Sequence, residues 1–323
     1  MRSLALAPFV LSACGFFLPP ADEETGDEGG DPEDMFVAVG DQGALMSSPD
    51  GQTWTTRTSG VGSTLYDVTY AAEIDDGLFV AVGQAGKILT SVNGLDWSAA
   101  SSPSSRDLRA VTWHVDRFYA VGGDYSAGAE TLESIDGTTW TRPEVTAPLH
   151  LLTDLVSNGY SLVALGLYQS DLQTFGLFTW DPTAGWIQRI DGSLTGARYD
   201  AVATGYPAFA LVGASTSATS NDAVNWTPVP IFNAPPMHAL VYSGLGWVAV
   251  GDGGGVLTSP DALTWTTRAT PATVPLRGVT TNGGIYVAVG DGGTLLSSAD
   301  GATWTALASP LDFNIQAVTH PRE

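Results

Sequence analysis

The chain has 323 residues and a formal net charge of −22 at pH 7, from 34 acidic and 12 basic side chains. An acidic surface repels phosphate backbones, so we do not expect nucleic acid to be a partner. With one cysteine, 38 glycines, 19 prolines and no uninterrupted apolar run of about 18 residues, the composition excludes an internal disulfide and a conventional transmembrane helix, and it favours an all-β fold with many turns.

The first residues resemble the leader of a bacterial lipoprotein. Arg2 gives a positive start, residues 3–13 are apolar or small, and residues 11–15 (LSACG) resemble a lipobox, in which the cysteine is lipidated and becomes the mature N-terminus. We therefore predict that residues 1–13 are a signal peptide and that Cys14 is the lipidation site. Under this interpretation the protein contacts a membrane only through its N-terminal lipid.

The lipobox resemblance also implies a location. Gly15 follows the cysteine, in place of the aspartate that is associated with inner-membrane retention. This is compatible with an outer-membrane lipoprotein of the cell envelope, on either the periplasmic or the surface side. An ordinary signal peptide, and hence a secreted protein, is the alternative.

Residues 14–34 are predicted to be a disordered tether. Within them, residues 21–34 (ADEETGDEGGDPED) carry eight carboxylates and no cation. Such a run can act by solvation or by binding a cation, and we favour solvation. The chain also lacks the closely spaced histidines and cysteines of a metal motif, so we predict no metal site and no cofactor.

The rest of the chain, residues 35–323, is built from a repeat of about 40 residues, a period that is typical of propeller blades. A tryptophan closes a short motif in each copy, as in SPDGQTW at 48–54 and SADGATW at 298–304. The tryptophans that define the seven copies are Trp54, Trp97, Trp140, Trp186, Trp226, Trp265 and Trp304.

Each copy is predicted to form four strands, A to D. Strand A is an L-x-x-V element, strand B is an apolar run ending in glycine (FVAVG at 36–40), strand C precedes the motif, and strand D begins at the tryptophan. A near-continuous apolar run fits a strand that is buried on both faces. Four-stranded antiparallel blades repeated radially make a propeller, so the predicted fold class is all-β, a seven-bladed β-propeller.

The ends of the pattern predict how the ring closes. The pattern begins with a strand B at Phe36 and ends on a strand A at 315–320 that has no partner in its own copy. We therefore predict that the last strand pairs beside the first, so that both chain ends complete one blade. A ring closed in this way has no open edge between blades, and we expect a monomer.

The motifs resemble the Asp-box, or BNR, repeat of sialidase-like and photosystem-assembly-factor-like propellers. The resemblance covers residues 35–323, but six of the seven copies have one residue fewer between the aspartate and the tryptophan. Ala223 and Ala262 replace the glycine in two copies, and Asn93 replaces one aspartate. In such families the motif is a folding element on the rim away from the channel mouth. The resemblance therefore implies a fold and not a catalytic site.

The second residue of strand A is the position of the repeat that varies most, whereas its neighbours are regularly apolar or small. The channel mouth of a propeller is formed by the starts of the A strands and by the B–C and D–A loops. The residues at this position are therefore candidates for a binding site at the mouth, and the alternative is that they only line a water-filled tunnel. They are Tyr66, Arg109, Thr153, Asp200, His238, Arg277 and Gln316.

Two B–C loops, at 123–130 and 167–176, are longer than the others and carry aromatic residues. Exposed aromatics on loops suit contact with a carbohydrate or a peptide. Drift in degenerate blades explains such loops equally well. The candidate rim residues are Tyr125, Tyr168, Asp171 and Phe175.

A catalytic site finds little support in the sequence. A sialidase needs three arginines around the substrate carboxylate and a tyrosine activated by a glutamate; Arg109, Arg198 and Arg277 could form the triad, but Arg198 lies one place off the register. None of the propeller's glutamates lies on a strand A. A glycosidase needs two facing carboxylates. The only A-strand candidates are Asp67, Asp154 and Asp200.

The sequence therefore predicts a non-catalytic cell-envelope lipoprotein whose propeller binds a protein or a glycan at the channel face. Two alternatives from other classes stay open, a sialidase-like glycoside hydrolase and a purely structural surface protein. The fold alone does not distinguish these three functions.

Overall fold

The structure is a computed structural model that describes residues 32–74, 77–124, 128–144, 150–168, 175–189, 194, 196–206 and 208–321. Within these residues it shows the predicted all-β propeller of seven blades. The predicted signal peptide, Cys14 and the tether up to residue 31 lie outside the described residues. Pro32–Asp34 form one 3-10 turn before the first strand. No described helix is long and apolar enough to span a membrane.

The described strands form seven antiparallel sheets, one for each blade. In chain order the strands are β1 (Phe36–Gly40), β2 (Leu45–Ser48) and β3 (Thr55–Thr56) in blade 1; β4 (Leu65–Ala71), β5 (Leu78–Gly83), β6 (Ile88–Ser91) and β7 (Ser98–Ala99) in blade 2; β8 (Asp107–His114), β9 (Arg117–Asp124) and β10 (Gly128–Ser134) in blade 3; and β11 (His150–Ser157), β12 (Leu162–Tyr168), β13 (Phe175–Asp181) and β14 (Gly185–Gln188) in blade 4. They continue with β15 (Tyr199–Thr204), β16 (Phe209–Gly213), β17 (Thr216–Ser220) and β18 (Thr227–Pro230) in blade 5; β19 (Met237–Tyr242), β20 (Trp247–Gly251), β21 (Val256–Ser259) and β22 (Thr266–Arg268) in blade 6; β23 (Leu276–Thr281), β24 (Tyr286–Gly290), β25 (Leu295–Ser298) and β26 (Thr305–Ala306) in blade 7; and β27 (Ile315–Thr319), which returns to blade 1.

The two chain ends complete blade 1. Strand β27 pairs antiparallel with β1, with Val37 opposite Thr319 and Ala38 opposite Val318, so the sheet order is β27-β1-β2-β3. Each strand A packs against the strand A of the next blade, and β27 packs against β4. The predicted closure is therefore confirmed, and the first and last strands of the propeller are held together by backbone hydrogen bonds.

Blade 3 departs from the prediction of a full strand D in every copy. Its sheet has three strands, and the fourth position holds only a bridge between Glu133 and Thr141, whose two N–H···O distances are 2.9 and 3.0 Å. Pro143 stands two residues after Thr141, where the ladder would continue, and a proline has no N–H to donate. In blades 1, 2, 5, 6 and 7 strand D begins one residue after the tryptophan, not at it as predicted, and in blade 4 it begins one residue before.

The core lies between neighbouring blades. Every residue of β1 is buried, because one face of the strand packs against blade 2 and the other face packs against blade 7. Between blades 7 and 1, for example, Phe36 and Trp54 pack against Val287 and Val289, with the two ring centroids 6.5 Å apart. The aromatic residue of strand B and the motif tryptophan therefore stabilise the same junction.

The C–D turns are closed by hydrogen bonds to an aspartate. In blade 1 the Asp50 carboxylate accepts from the backbone N–H groups of Gln52 and Thr53, at 2.8 and 2.7 Å, and from the Ser48 hydroxyl at 2.9 Å. The same bonds recur around Asp136, Asp222, Asp261 and Asp300, and around Asn93 in blade 2. These turns are local folding elements, since their polar side chains bond within the turn.

The B–C turns of blades 1, 2, 6 and 7 each end in a glycine that no other residue can replace without backbone movement. Gly293 has φ +72°, and a Cβ there would lie 1.9 Å from the backbone oxygen of Leu311. The residue before it also has positive φ but faces open space, as at Gly292, and Gln42 and Ala85 occupy that place in blades 1 and 2. This explains the invariant last glycine of the motifs GDQG, GQAG and GDGG.

Candidate functional site at the channel mouth

A β-bulge occurs near the start of each strand A, at the second residue of the predicted L-x-x-V element; the observed strands β8 and β11 begin one and two residues before that element. In blade 2 the pairing with strand B shifts register between Leu65 and Asp67, which leaves Tyr66 as the extra residue, and the same shift occurs in the other six blades. A bulge leaves one residue outside the ladder and redirects its side chain. The residues at these bulges are the seven that the sequence indicated as a ring: Tyr66, Arg109, Thr153, Asp200, His238, Arg277 and Gln316.

All seven bulge residues line one cavity, the central channel, whose volume is about 730 Å³. They lie at the start of the A strands, beside the B–C turns, and we call this end of the channel the mouth. The structure thus brings the predicted ring together at one level. The binding of a partner by this ring stays a prediction.

In blades 6, 7 and 1 the ring residue contacts the aspartate of its own B–C turn. The His238 Nε2 atom lies 2.7 Å from the Asp252 carboxylate. The Arg277 guanidinium donates two hydrogen bonds to Asp291, one of them from Nη2 at 3.0 Å. The contact with Asp291 also raises the pKa of Arg277, so this side chain stays charged.

Blade 1 completes this side of the mouth. The Gln316 side-chain amide donates to Asp41 at 2.9 Å, and Asn314 donates to the other carboxylate oxygen of Asp41 at 3.0 Å. The Thr64 hydroxyl of the neighbouring blade also donates to Asp41, at 3.2 Å. Three consecutive blades therefore present a carboxylate beside a donor at the mouth.

Blades 2 and 3 share a different arrangement around Asp107. The Arg109 guanidinium donates to Asp107 at 3.1 Å and stacks over the Tyr66 ring, 5.0 Å from its centroid. The Tyr66 hydroxyl donates to the same carboxylate at 3.3 Å. Burial, together with the negative charge of Asp107, raises the pKa of Tyr66, so its hydroxyl keeps its proton. The buried Nε of Arg109 has no hydrogen-bond partner among the described residues.

Asp107 is a mouth residue that the sequence reasoning missed. It precedes the ring position by two residues, so its only sequence signal was an acid next to an L-R-A-V strand. Its role comes from contacts with blade 2, where it also accepts from the backbone N–H of Ala85 at 3.1 Å. Contacts between blades cannot be read from a single copy of the repeat.

Blades 4 and 5 contribute Thr153 and Asp200 to the ring. The Thr153 hydroxyl faces the backbone oxygen of Leu165 at 3.5 Å. The Asp200 carboxylate accepts from Nε of Arg198 at 2.7 Å. Arg198 is not among the residues that line the channel, which agrees with its predicted position off the register.

Below the ring, two aspartates join neighbouring blades. The Asp154 carboxylate accepts from the backbone N–H of Leu155 and, across the junction, from that of Val202, both at 2.8 Å. Asp67 bonds in the same way to Val68 and to Val111 of blade 3, both at 2.8 Å. Other blades have alanine or glycine at this position. The two carboxylates therefore act as links between blades, not as a facing catalytic pair.

The environment of Asp154 changes its acidity. Burial within the channel wall raises its pKa to about 6, against the two backbone N–H groups that favour the charged form. Asp154 therefore titrates in the range where most carboxylates are already ionised.

The prediction for the rim loops is wrong for Phe175. This residue begins β13, is 3% exposed and packs against Tyr199, with ring centroids 5.1 Å apart, because the apolar run of strand C extends further than the sequence suggested. Tyr168 ends β12, and its side chain is outside the described part of the structure. Tyr125 and Asp171 also lie outside the described residues.

The site offers no metal centre and no free arginine triad in the described ranges. No group of three or more histidine, cysteine, aspartate or glutamate side chains there could hold a metal ion. Arg109, Arg198 and Arg277 are bonded to Asp107, Asp200 and Asp291 respectively.

Comparison with known proteins gives the fold. No protein-family model and no curated protein matches the chain. A solved structure described as YCF48 bound to D1 peptide is similar with a TM-score of 0.56 and 15% identity, over 75% of this chain and 80% of that chain. YCF48 from Cyanidioschyzon merolae is similar with a TM-score of 0.56 and 15% identity, over 76% and 86%. At this identity the likeness extends to the architecture and no further.

Proposed function

We propose that this protein is a non-catalytic propeller that binds a segment of another protein at the channel mouth. The observation that carries the proposal is the ring of seven bulge residues around one cavity of about 730 Å³. Folding of the repeat requires no variety at this position, whereas recognition of a particular partner does. Concave sites with a few placed polar groups are the usual form of a binding site.

The polar groups of the ring are positioned before any partner arrives. His238, Arg277 and Gln316 are each held by an aspartate, and Arg109 is held by Asp107 and Tyr66. Ordered side chains lose less conformational entropy on binding. The mixture of donors and carboxylates suits a peptide, whose backbone and side chains offer both kinds of partner, and a structural neighbour is described as bound to a peptide.

A sialidase-like activity is not supported by this geometry. All three candidate arginines are bonded to aspartates, so binding a substrate carboxylate would require breaking those ion pairs. The carboxylates Asp67 and Asp154 are used by backbone amides of the neighbouring blade. These contacts support a role of the ring in recognition over one in acid–base catalysis.

The experiment that tests this proposal is a selection from a random peptide library on the purified full chain, run beside a glycan array and a sialoside hydrolysis assay. We expect peptides whose affinity falls at least about tenfold with Tyr66→Ala or His238→Ala. The control Ile135→Ser, on the opposite face, should leave affinity unchanged.

The other outcomes identify the alternatives. Glycan binding that depends on the same ring residues would make the ligand a carbohydrate, and sialoside turnover would make the protein an enzyme. Peptides that bind equally well to the ring variants would exclude the mouth as their site. The absence of peptide binding, glycan binding and sialoside turnover would favour a purely structural role.

We also propose that the protein is a lipoprotein of the cell envelope, placed in the outer membrane by a lipid on Cys14 after removal of residues 1–13. The support is the LSACG sequence at residues 11–15 and the acidic run that separates it from the propeller. Labelling with a radioactive fatty acid in the native bacterium should mark the wild-type protein and not Cys14→Ser. Release of an unlabelled protein into the medium would instead indicate a secreted protein.

We propose, finally, that the C–D turns are Asp-box repeats. The support is the set of hydrogen bonds from serine and backbone N–H groups to the turn aspartate, together with the indole N–H of the tryptophan, which donates to the glycine carbonyl at 3.0 Å in blade 7. A search with a sequence profile built from homologues should align these turns with Asp-box repeats. A profile that aligned only the strands would contradict the assignment.

A further inference from the structure

The exposed apolar side chains of the propeller are concentrated on the face opposite the mouth, which we call the A–B face because the A–B turns lie there together with the C–D turns. Eight of the ten large hydrophobic residues exposed in the described structure belong to these two kinds of turn. Those on C–D turns are Val92, Ile135, Val224 and Leu263, and those on A–B turns are Val115, Tyr160, Tyr206 and Leu245.

The four A–B residues, which we call the tips, form an arc across four consecutive blades, 3 to 6. They are 65%, 94%, 75% and 88% exposed in the order Val115, Tyr160, Tyr206 and Leu245. The arc borders the channel exit, because Val115 itself lines the channel. Large exposed apolar groups gathered on one face indicate an interaction surface.

The tips are held on ordered turns. The Asn158 side chain accepts hydrogen bonds from the N–H groups of Tyr160 and Ser161, at 3.0 and 2.8 Å. The Ser243 hydroxyl accepts from the N–H of Leu245 at 3.3 Å. Exposed apolar side chains on fixed turns can enter an apolar medium with little ordering cost.

The chain enters the propeller on this same face. Strand β1 starts at Phe36, opposite Ser48 at the end of strand C, and the Gly94 position of the blade 2 C–D turn lies against Met35. Residues 3–19 of the preceding sequence contain mostly apolar residues, and Cys14 lies 18 positions before Pro32. A flexible chain of that length spans roughly 25 Å on average, at 5–6 Å times the square root of the number of residues.

We propose that the A–B face rests on a lipid bilayer, with the tips inserted at the level of the headgroups. A fluid bilayer accepts apolar side chains that stand on four separate turns, as the tips do. Tyrosine with leucine or valine is suited to a membrane interface, where one end of the ring is wet and the other apolar. The proposal depends on the proposed lipid anchor in one respect, because the anchor is what brings the protein to a membrane.

The charge of the protein limits which bilayer it can contact. The C–D turn aspartates lie on the same face, and the whole chain carries −22. Anionic lipids would repel this face. The contact is therefore with zwitterionic lipid, and its strength falls as anionic lipid is added.

The test uses the full chain with Cys14→Ser, so that the lipid plays no part and its presence or absence in the cell does not affect the result. An environment-sensitive dye (NBD) is attached to Leu245→Cys, to Tyr160→Cys or, as the matched control on the opposite face, to Phe232→Cys, whose native side chain is 82% exposed. Phosphatidylcholine vesicles are then added. We expect a blue shift and higher emission at positions 245 and 160 and no change at 232.

A second measurement checks that the tips contribute to binding. In vesicle flotation, the Tyr160→Ser, Tyr206→Ser, Leu245→Ser triple variant should bind at least about tenfold more weakly than Cys14→Ser alone, and Phe232→Ser should bind equally well. An unchanged signal at position 245, or a triple variant that floats as well as its parent, would overturn the proposal. Peptide binding at the mouth is measured without vesicles, so its outcome does not depend on the result of these membrane experiments.

Discussion

At the scale of single residues, the glycine that ends each of the four tight B–C turns is fixed by a close backbone contact, whereas the residue before it is not. Gly292 and Gly293 have φ values of +60° and +72°, but only Gly293 has a carbonyl oxygen in the place of a Cβ. Substitution of each glycine by alanine therefore distinguishes the energetic cost of positive φ from the cost of steric overlap with the backbone.

We predict that Gly292→Ala lowers the free energy of unfolding by about 1 kcal/mol, the cost of an alanine at positive φ. Gly293→Ala should cost at least about 3 kcal/mol, since the turn must move away from Leu311. Urea denaturation of the two variants measures the difference. Equal losses would mean that the contact with Leu311 is unimportant.

The raised pKa of Asp154 predicts a dependence of stability on pH. Because the folded state holds the Asp154 proton up to about pH 6 and the unfolded state only to 3.8, this carboxyl favours folding most below pH 3.8, and the contribution is lost as the pH rises through 6. The loss amounts to about 3 kcal/mol.

Asp154→Ala should remove that dependence, because Ala201 occupies the corresponding position in blade 5 without a titrating group. Relative to this variant, the wild type should become less stable by up to about 3 kcal/mol between pH 4 and pH 7. The measurement is urea denaturation at four pH values, with Thr153→Ala as a neutral control. Parallel stability curves would show that Asp154 has an ordinary pKa.

At the scale of the element, the C–D turn depends on an acceptor for two backbone N–H groups. In blade 7 the Asp300 carboxylate accepts from Ala302 and Thr303 at 2.8 and 2.7 Å, and these bonds hold its pKa at about 2. Asn93 supplies the same two bonds in blade 2 with a neutral amide. The turn therefore depends on a side-chain oxygen that accepts hydrogen bonds more than on the negative charge of the aspartate.

We predict that Asp300→Ala destabilises the protein by about 1–2 kcal/mol at pH 7 and that Asp300→Asn costs less than about 0.5 kcal/mol. Because the pKa of Asp300 is lowered on folding, its contribution is present above pH 3.8 and is lost as the pH falls towards 2. The advantage of wild type over the alanine variant should therefore shrink in acid. An asparagine variant as unstable as the alanine variant would show that the charge itself matters.

The elements also show which features of the structure can be predicted from the sequence. The strands, the closing strand β27 and the ring position follow from one repeat, because each depends on apolar pattern and turn residues within a copy. The bulge at Tyr66, the shared contact at Asp107 and the link from Asp154 to Val202 depend on register and on the next blade. A single sequence carries no direct signal for these contacts, which is why the partners of the ring residues were not predicted.

At the scale of the whole molecule, the first and last strands of the propeller meet in blade 1. The His320 ring lies 4.3 Å from that of Phe36, and β27 supplies the innermost strand of the blade. Removing β27 would expose the edge of β1 and the buried residues of the junction between blades 7 and 1.

A chain that ends at Leu311 should therefore lose the single cooperative unfolding transition. A circular permutant that joins the two ends and opens between two other blades keeps all seven A strands and should unfold like the wild type. Thermal unfolding followed by circular dichroism compares the two chains. A truncated chain with an unchanged transition would contradict closure through β27.

The whole molecule is also where the proposed function is tested most directly. A photo-reactive amino acid is placed at Tyr66 or Gln316 in the mouth, and at Leu263 on a C–D turn as control, and intact native cells that produce the protein are irradiated. We predict protein adducts from the two mouth positions, each with one short segment of the same partner, and none from position 263. Adducts that form only from position 263, or only with carbohydrate from the mouth, would contradict a protein-binding mouth.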